Sequence, residues 1–222
     1  MSITKKEKLK RNTNNASGGK TVPEKEPTTP KQPRAEKTRQ KLIDASIECL
    51  AKHGYAGSQL GMISDLAGVS RRPRQYYFPS RISLMLAVWH EIRRRDDADF
   101  AKLHSVEQSL EKTVESILEF AFKKYRTPQY IADLELKLAM RSDDDLAREL
   151  GPLIEQREKE ADQLWLSLFA KVDKPAEQII ATRYLHVSLL RGLAVEYLSR
   201  QDTKNLAHLE QEFSRILHSV LA

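Results

Sequence analysis

The chain has 222 residues, of which 40% are hydrophobic and 31% charged, and its formal net charge is +6. This length accommodates one large domain or two small ones, and the charged fraction is typical of helices whose outer faces are solvated. No apolar run approaches the roughly 18 residues of a membrane span. The basic start MSITKKEKLKRNTNN precedes no apolar segment, so we expect neither a membrane span nor a secretory signal.

Positive charge is concentrated at the start of the chain. Residues 1–41 carry twelve Lys and Arg against four Asp and Glu, a net of +8, whereas residues 82–222 carry 20 basic and 24 acidic residues. A polyanionic partner would therefore meet the first third of the chain. Residues 1–33 lack apolar periodicity and are predicted to form a disordered basic tail. Its role stays open between a solubilising segment and an arm that adds non-specific affinity for phosphates.

A helical pattern begins at Arg34 and predicts a first helix that ends near Gly54, because glycine commonly follows the last apolar residue of a helix. The single cysteine, Cys49, excludes an internal disulfide, and its apolar position favours a buried thiol over a redox switch. We therefore expect a reducing, cytoplasmic setting. The apolar face of the helix consists of Leu42, Ile43, Ile47, Leu50 and Ala51.

The next segment has the outline of a helix-turn-helix at about residues 59–78. Ser58 is placed to cap a first short helix, Gly68 to end it, and Val69 to fill the space between two helices. This outline is typical of proteins that insert a helix into DNA.

A second short helix is predicted at about residues 71–77, because Ser70 can cap it and Pro79 forbids its continuation. Pro73 biases Arg72 away from helical geometry, so a start one or two residues later is an open alternative. A late start would move the base-reading set towards the second half of the helix, residues 74–76.

This second helix is rich in arginine and tyrosine. The N-terminal positions of such a helix face base edges in the major groove, and arginine binds guanine or phosphate through its planar fork. A solvated charged helix in an ordinary bundle is the alternative, but the helix-turn-helix outline and the basic first third favour DNA contact. The predicted contacts are Arg71, Arg72 and Arg74 with base edges, Gln75 with adenine or phosphate, and Tyr76, Tyr77 and Arg81 with phosphates.

The rest of the chain is predicted to be helical, so the fold class is all-α. Ser80 is placed to cap a long helix, and the three aspartates at 143–145 are placed as the N-terminal cap of another. Pro152 leaves open whether DDDLAREL forms a separate short helix. The predicted helices lie at about residues 81–103, 106–126, 129–141, 143–171, 175–200 and 203–221.

Residues 36–90 resemble the DNA-binding domain of the TetR family of bacterial transcriptional regulators (TetR/AcrR type). The chain departs from the family pattern at residues 72–75, where it has Arg-Pro-Arg-Gln in place of Gly, a small residue, an apolar residue and Tyr. In the family, the apolar residue at the third of these positions helps to seat the helix. The matching residues are Thr38, Arg39, Ile43, Ala45, His53, Gly54, Tyr55, Ser58, Ile63, Ala67, Gly68, Val69, Ser70, Tyr77, Phe78, Pro79, Ser80, Arg81 and Leu84.

The resemblance implies a helix-turn-helix DNA-binding domain at residues 34–82 and a helical domain at residues 83–222 that binds a small effector and dimerises. It implies that residues 70–77 form the recognition helix, beginning with Ser70. The phosphate contacts that it implies are Ser58, Gln59, Tyr77 and Arg81, with Arg39 joining them from the first helix.

The last two predicted helices carry more apolar residues than surface helices need. Two such helices from each of two copies can form a four-helix interface around a two-fold axis, which predicts a homodimer. The candidate effector-binding residues lie elsewhere in the same domain, and core packing is the stronger explanation for the aromatic and apolar ones. These candidates are Trp89, Phe120, Tyr125, Met140, Trp165, Phe169, Arg183 and His186.

The predicted function is that of a sequence-specific regulator, associated with the nucleoid, that represses transcription from an operator and is released by a small-molecule effector. No cofactor or metal is predicted. An enzyme is not favoured, because the six histidines lack metal-ligand spacing and the chain has no Gly-rich phosphate loop or nucleophile elbow. The alternative is a ligand-independent TetR-like protein with an architectural or replication-linked role, which the basic tail favours and the aromatic second domain opposes.

Overall fold

The computed structural model describes residues 32–103, 109–200 and 203–221, and in these ranges the chain forms nine α-helices and no strand. The all-α prediction is confirmed. Residues 1–31 of the predicted tail lie outside the described ranges, and the first helix begins at Gln32. The helices are α1 Gln32–Gly57, α2 Leu60–Ala67, α3 Arg71–Tyr77, α4 Arg81–Leu103, α5 Leu110–Lys124, α6 Pro128–Ala139, α7 Asp144–Leu168, α8 Ala176–Arg200 and α9 Thr203–Leu221. None of the helices in these ranges is both long and apolar enough to cross a bilayer.

α1 bends at Gly54, which adopts φ 67° and ψ 178°. This region of backbone conformation is essentially restricted to glycine. Regular helical geometry is therefore interrupted at the residue that the sequence predicted as the helix stop. Helical turns continue to Gly57, after which the Ser58 N–H donates to the carbonyls of Gly54 and Tyr55, each at 3.2 Å.

α2 and α3 form the predicted helix-turn-helix. Gly68 ends α2 in the left-handed conformation, with φ 62° and ψ 35°. Its N–H donates to the Asp65 carbonyl at 3.1 Å, and the next N–H, of Val69, donates to the Ser64 carbonyl at 2.9 Å. Val69 is buried in the core that these helices share, as predicted.

One local prediction in this motif is wrong. Ser58 does not cap α2, because Gln59 occupies the cap position, without a side-chain hydrogen bond. α3 spans Arg71–Tyr77, as predicted, so the later start that Pro73 left open does not occur. Pro73 then lies in the first turn, where its missing N–H has no helical partner to lose.

The caps predicted for two of the longer helices are present. The Ser83 N–H donates to Ser80 Oγ at 3.0 Å and the Ser80 N–H donates to Ser83 Oγ at 3.2 Å, which fixes the start of α4. Asp143 caps α7 by accepting the Leu146 N–H at 2.9 Å. α7 then continues for 25 residues through Pro152, so DDDLAREL is the first part of a long helix rather than a separate one.

Two hydrophobic cores hold the helices together. The first unites α1, α2, α4, α6 and the beginning of α7, and the second unites α5, α8, α9 and the end of α7. The predicted domain boundary after residue 82 lies inside the first core, since Leu42 and Leu84 belong to the same cluster. Cys49 is buried in this core, as predicted, and burial raises the pKa of its thiol.

His186 packs among the aromatic rings of the second core. Its ring centroid lies 5.5 Å from that of Trp165 and 5.3 Å from that of Phe213. Burial, and then repulsion from Arg183, lowers the pKa of His186 to about 4. The imidazole is therefore neutral at pH 7, because a charge would lose hydration without gaining a carboxylate partner.

We expect Gly54→Ala to lower the free energy of unfolding by roughly 1–3 kcal/mol. An L side chain is strained at φ 67°, and the added Cβ would lie 3.0 Å from Glu135 Oε2. Urea denaturation followed by circular dichroism measures the loss. Gly61→Ala is the matched control: its Cβ would meet no described atom within 4 Å, so helix propensity should leave stability unchanged or raised. Equal losses in the two variants would contradict the account.

We expect stability to fall as the pH drops from 6.5 towards 4, because the pKa of His186 is depressed to about 4 in the folded chain and the unfolded chain binds the proton first. The neutral His186 imidazole contributes its full stabilisation above the ordinary pKa of histidine. At pH 5 the free energy of unfolding should be roughly 2 kcal/mol lower than at pH 7. Urea midpoints at the two pH values measure it. His186→Gln should flatten this dependence and His208→Gln, at an exposed position, should keep it; an unchanged dependence in His186→Gln would overturn the assignment.

Candidate nucleic-acid interface and interior cavity

α3 has one face against the protein and one in solvent. Phe78, directly after α3, is 3% exposed, and Tyr77 is half-buried against the first core. Tyr76 is 82% exposed, and its ring packs edge-on against that of Tyr77 with centroids 5.1 Å apart. The exposed residues of α3 are Arg71, Arg72, Pro73, Gln75 and Tyr76.

Arg71 and Arg72 have guanidinium groups without a partner among the described residues. Neither forms an ion pair or a hydrogen bond with any residue in the part of the chain that the structure describes. Ser70, at the cap position of α3, is exposed, and its side chain makes no capping hydrogen bond. The start of α3 therefore presents three unsatisfied polar side chains, which is what contact with base edges or phosphates requires.

Arg74 does not share this exposed face, which corrects the prediction that it contacts base edges. Its side chain is buried, with 8% exposure, and lines a groove between α2 and α3 together with Ser64 and Asp65. The residue lies one helical turn before Phe78, so both face the protein. Its aliphatic stem occupies the place that the family resemblance assigns to an apolar residue.

Ser58 is also unavailable to DNA, which corrects its prediction as a phosphate contact. It is 0% exposed, and its hydroxyl donates to the Gly54 carbonyl at 2.7 Å. Gln59 is exposed beside it at the N-terminal end of α2. Of the two contacts predicted at this end, the structure leaves Gln59 accessible.

The last two predicted contacts lie on the helices that flank the motif. The Arg39 guanidinium lies 5.6 Å from the ring centroid of Phe78 and is half-buried. The Arg81 guanidinium lies 3.9 Å from the ring centroid of Tyr55 and donates to the Tyr55 carbonyl. Arg81 is therefore engaged within the protein, whereas Arg39 lies beside the end of α3.

Tyr55 connects the helix-turn-helix to the rest of the molecule, a role that its sequence position did not reveal. Its N–H donates to Glu135 Oε2 of α6 at 3.0 Å, and its hydroxyl donates to Asp143 Oδ2 at 2.5 Å. Burial, followed by the hydrogen bond to Asp143, raises the pKa of Tyr55 to about 12. Its two acceptors are 80 and 88 residues distant in sequence, so no local pattern predicts these contacts.

A cavity of about 250 Å³ lies between α4, α5, α6, α7 and α8. Phe120, Arg183 and His186 are the predicted effector-binding residues that line it. The other five predictions are not supported, because these side chains pack in the two cores or at their edges and do not line the cavity: Trp89, Tyr125, Met140, Trp165 and Phe169.

Charged side chains that the sequence reasoning missed form one wall of the cavity. Arg93 Nη2 lies 3.2 Å from Asp96 Oδ2 and 3.0 Å from Asp133 Oδ1. Lys124 also pairs with Asp96, and Lys137 with Asp133 at 2.8 Å. Burial opposes ionisation of Asp133, but the neighbouring Arg93 and Lys137 charges prevail and lower the pKa of its carboxyl. The available signal was the spacing of opposite charges at three or four positions along α4 and α6.

On the opposite wall, Arg183 is fixed by carboxylates of α7. Its Nη2 lies 2.8 Å from Glu158 Oε2, and its Nε donates to Asp162 Oδ1 at 2.6 Å. Arg183 is thus a structural ion pair of the cavity wall rather than an isolated cation.

Sequence comparison relates the chain to helix-turn-helix transcriptional regulators, although no family model matches it. CymR of Pseudomonas putida is 26% identical over 192 residues, which cover 85% of this chain and 89% of CymR. RutR of Escherichia coli K12 is 38% identical over 66 residues, or 29% of this chain and 31% of RutR. The transcriptional repressor NicS of Pseudomonas putida KT2440 is 28% identical over 102 residues, or 46% of this chain and 48% of NicS.

Solved structures share the fold. A transcriptional regulator from Rhodococcus sp. RHA1 has a TM-score of 0.70 at 12% identity, with 82% of this chain and 95% of that chain covered. A TetR-family regulator from Streptomyces coelicolor has a TM-score of 0.66 at 17% identity, with 84% and 95% covered. A TetR regulator from Chloroflexus aurantiacus has a TM-score of 0.65 at 16% identity, with 84% and 97% covered. The chain is thus similar to the helix-turn-helix transcriptional regulator CymR along most of both chains, and it has the fold of solved TetR-family regulators.

Proposed function

We propose that the chain is a cytoplasmic, nucleoid-associated repressor that binds operator DNA as a homodimer through α3 and releases it when a small molecule occupies the cavity. The observation that carries the DNA-binding part is the exposed start of α3, where Arg71 and Arg72 have no partner among the described residues. Unpaired arginines on a solvated helix are poised for phosphates and for guanine in the major groove. We therefore expect a G-rich half-site.

The base-reading set in this proposal is the exposed face of α3. It consists of Arg71, Arg72, Gln75 and Tyr76, with Ser70 at the cap position. Tyr77, Gln59 and Arg39 surround this face and are proposed to contact phosphates.

The dimer surface in this proposal is the outer face of α8 and α9. Large apolar side chains on a solvated face favour association, because pairing removes them from water. Gly192 lies on the same side of α8, and a Cβ there would meet no described atom within 4 Å, which allows close approach of a second helix. The exposed apolar residues are Leu185 (60%), Leu189 (41%), Val195 (52%) and Leu198 (44%) on α8, and Leu209 (36%) and Ile216 (52%) on α9.

Pairing supports sequence recognition as well. One seven-residue helix reads few base pairs, whereas two copies related by a two-fold axis read two half-sites. We expect the two α3 helices to suit half-sites about one helical turn apart, roughly 34–36 Å.

α4 and α6 provide the connection between the cavity and α3. Three residues separate the end of α3 from the start of α4, which carries Arg93 and Asp96 at the cavity. α6 carries Asp133 at the cavity and, two residues later, Glu135 at the Tyr55 N–H. A ligand that displaces either helix would change the separation of the two α3 helices. The cavity between these helices favours a ligand-responsive regulator over an architectural DNA-binding protein.

We expect Arg72→Ala to weaken binding to the preferred duplex by about 1–3 kcal/mol and to relax base preference at one position. Fluorescence anisotropy with a duplex obtained by site selection measures the affinity, at two salt concentrations. Arg148→Ala is the control, because Arg148 is exposed on α7 and pairs with Asp145, away from α3 and from the proposed dimer surface; it should bind DNA like the parent chain.

Arg74→Leu tests the corrected placement of Arg74. Leucine retains an apolar stem between α2 and α3, so base preference should be retained. Site selection on both variants makes the comparison, and a preference lost in Arg74→Leu but kept in Arg72→Ala would refute the proposed base-reading face.

We expect Leu185→Glu to convert the dimer into monomers, since a charge at the centre of an apolar interface loses its hydration. Sedimentation velocity gives the mass, and operator affinity should fall with it. Leu138→Glu is matched in type and exposure (51% against 60%) but lies on α6, so it should remain dimeric. A dimeric Leu185→Glu would place the interface elsewhere.

A further inference from the structure

One cation of the cavity wall has no counter-charge among the residues that the structure describes. Arg191 of α8 lines the cavity and forms no ion pair or hydrogen bond with the residues that the structure describes. All the other Lys and Arg side chains that line the cavity are paired with carboxylates, and they are Arg93, Lys124, Lys137, Arg157 and Arg183. A half-buried guanidinium without a partner is a binding site for an anion, because arginine remains charged and its donors need acceptors.

Two neutral groups beside the cavity also lack partners in the described part of the chain. The half-buried Tyr130 lines the cavity, and its hydroxyl makes no hydrogen bond within the described ranges. His186 is 6% exposed, and its Nδ1 is buried without a hydrogen-bond partner. Buried polar groups are normally satisfied, so the unpartnered His186 Nδ1, beside the half-buried Arg191 and Tyr130 that lack partners among the described residues, indicates a polar ligand in the cavity.

The fixed charges favour an anion on this side of the cavity. The wall that contains Tyr130 holds three cations, Arg93, Lys124 and Lys137, against the two carboxylates Asp96 and Asp133. Arg191 faces the same tyrosine, and its charge acts on the Tyr130 hydroxyl. A ligand cation here would meet an excess of positive charge, whereas a ligand anion would offset it.

The rest of the cavity suits a small apolar body. Phe120 and Phe100 pack edge-to-face with centroids 5.4 Å apart, and Leu134 and Leu190 also line the space. The volume of about 250 Å³ is below the roughly 300–1,000 Å³ of pockets for drug-sized ligands. The single unpaired arginine matches one negative charge, whereas a phosphate monoester brings about −1.5 to −2.

We propose that the cavity binds a small organic monocarboxylic acid, with the carboxylate on the Arg191 guanidinium and the Tyr130 hydroxyl and the apolar body against Phe120 and Leu190. This ligand class rests on the proposed function, in which the cavity is the effector site. The carboxylate supplies acceptors for the two donors, and His186 Nδ1 is left for a polar atom at the other end of the ligand.

The test compares carboxylic acids with their own primary amides. Hexanoate, benzoate and phenylacetate are titrated into the full-length protein by isothermal calorimetry, alongside hexanamide, benzamide and phenylacetamide. At least one acid should bind about tenfold more tightly than its amide, because only the acid forms a charge-assisted pair. Arg191→Gln should remove about that tenfold preference while changing the affinity for the amide by less than about twofold. Arg200→Gln, on the exposed end of the same helix, should change neither affinity.

The thermal midpoint without ligand confirms that the variant folds. Arg191→Gln should melt at or above the temperature of the parent chain, because it removes a cation that has no partner among the described residues. Arg183→Gln should melt at a lower temperature, because it leaves the carboxylates of Glu158 and Asp162 without their counter-charge. Amides that bind as tightly as acids, the absence of binding by every acid, or equal losses for acid and amide in Arg191→Gln would each overturn the inference.

Operator release separates this inference from the proposed function. If an acid binds through Arg191 but leaves DNA affinity unchanged, the carboxylic-acid class of ligand is supported, and the proposal that the ligand releases DNA is refuted. If a neutral amide occupies the cavity and releases DNA, the proposal that a cavity ligand releases DNA is supported, and the carboxylic-acid class of ligand is refuted.

Discussion

The contact between the Tyr55 N–H and the Glu135 carboxylate depends on the bend of α1 at Gly54, and the placement of α3 depends on both. The bend turns Tyr55 towards α6, and the tyrosine hydroxyl reaches Asp143 at the start of α7. Arg81 completes the arrangement from α4 by stacking on the same ring. One turn of chain therefore fixes the helix-turn-helix against three helices that each contribute to the first core. A substituent on Gly54 would act on all of these contacts together.

The cavity wall has a different physical character from the cores on either side of it. Buried ion pairs such as Arg93 with Asp133 lose hydration, and this loss offsets much of their attraction. Apolar residues of similar volume would commonly give equal or greater stability. The two cores supply the stability, while the wall retains charges that can distinguish one ligand from another. Sites that bind ligands commonly carry such a cost in stability.

Much of the fold could be predicted from local patterns. The helix-turn-helix followed from Gly68, Val69 and the apolar spacing around them, and the caps at Ser80 and Asp143 followed from residue type and position. The inward orientation of the Arg74 side chain could also be predicted, because Arg74 precedes the apolar Phe78 by one turn of helix. Residue type alone predicts an exposed arginine at this position, whereas the helical spacing predicts the buried one that the structure has.

The candidate effector site could be predicted only in part. Phe120, Arg183 and His186 line the cavity, but aromatic character alone did not separate them from Trp165 or Phe169, which pack in the core. The ion pairs of the wall join helices far apart in sequence, as Arg93 and Asp133 do, so their partners emerge only when the helices are assembled. The absence of a partner for Arg191 among the described residues is likewise a property of the fold and not of any segment.

Pro152 gives α7 a mechanical property within the part of the helix that packs on the first core. Without an N–H, it cannot donate to the carbonyl of Arg148, so the helix lacks one backbone bond at that turn. Leu150 before it and Leu153 after it both pack in or against the first core, whereas Trp165, further along, belongs to the second. The weakest turn of this long rod is thus held by side-chain packing on both sides, and a slight bend there would carry with it the end of the helix that reaches the second core.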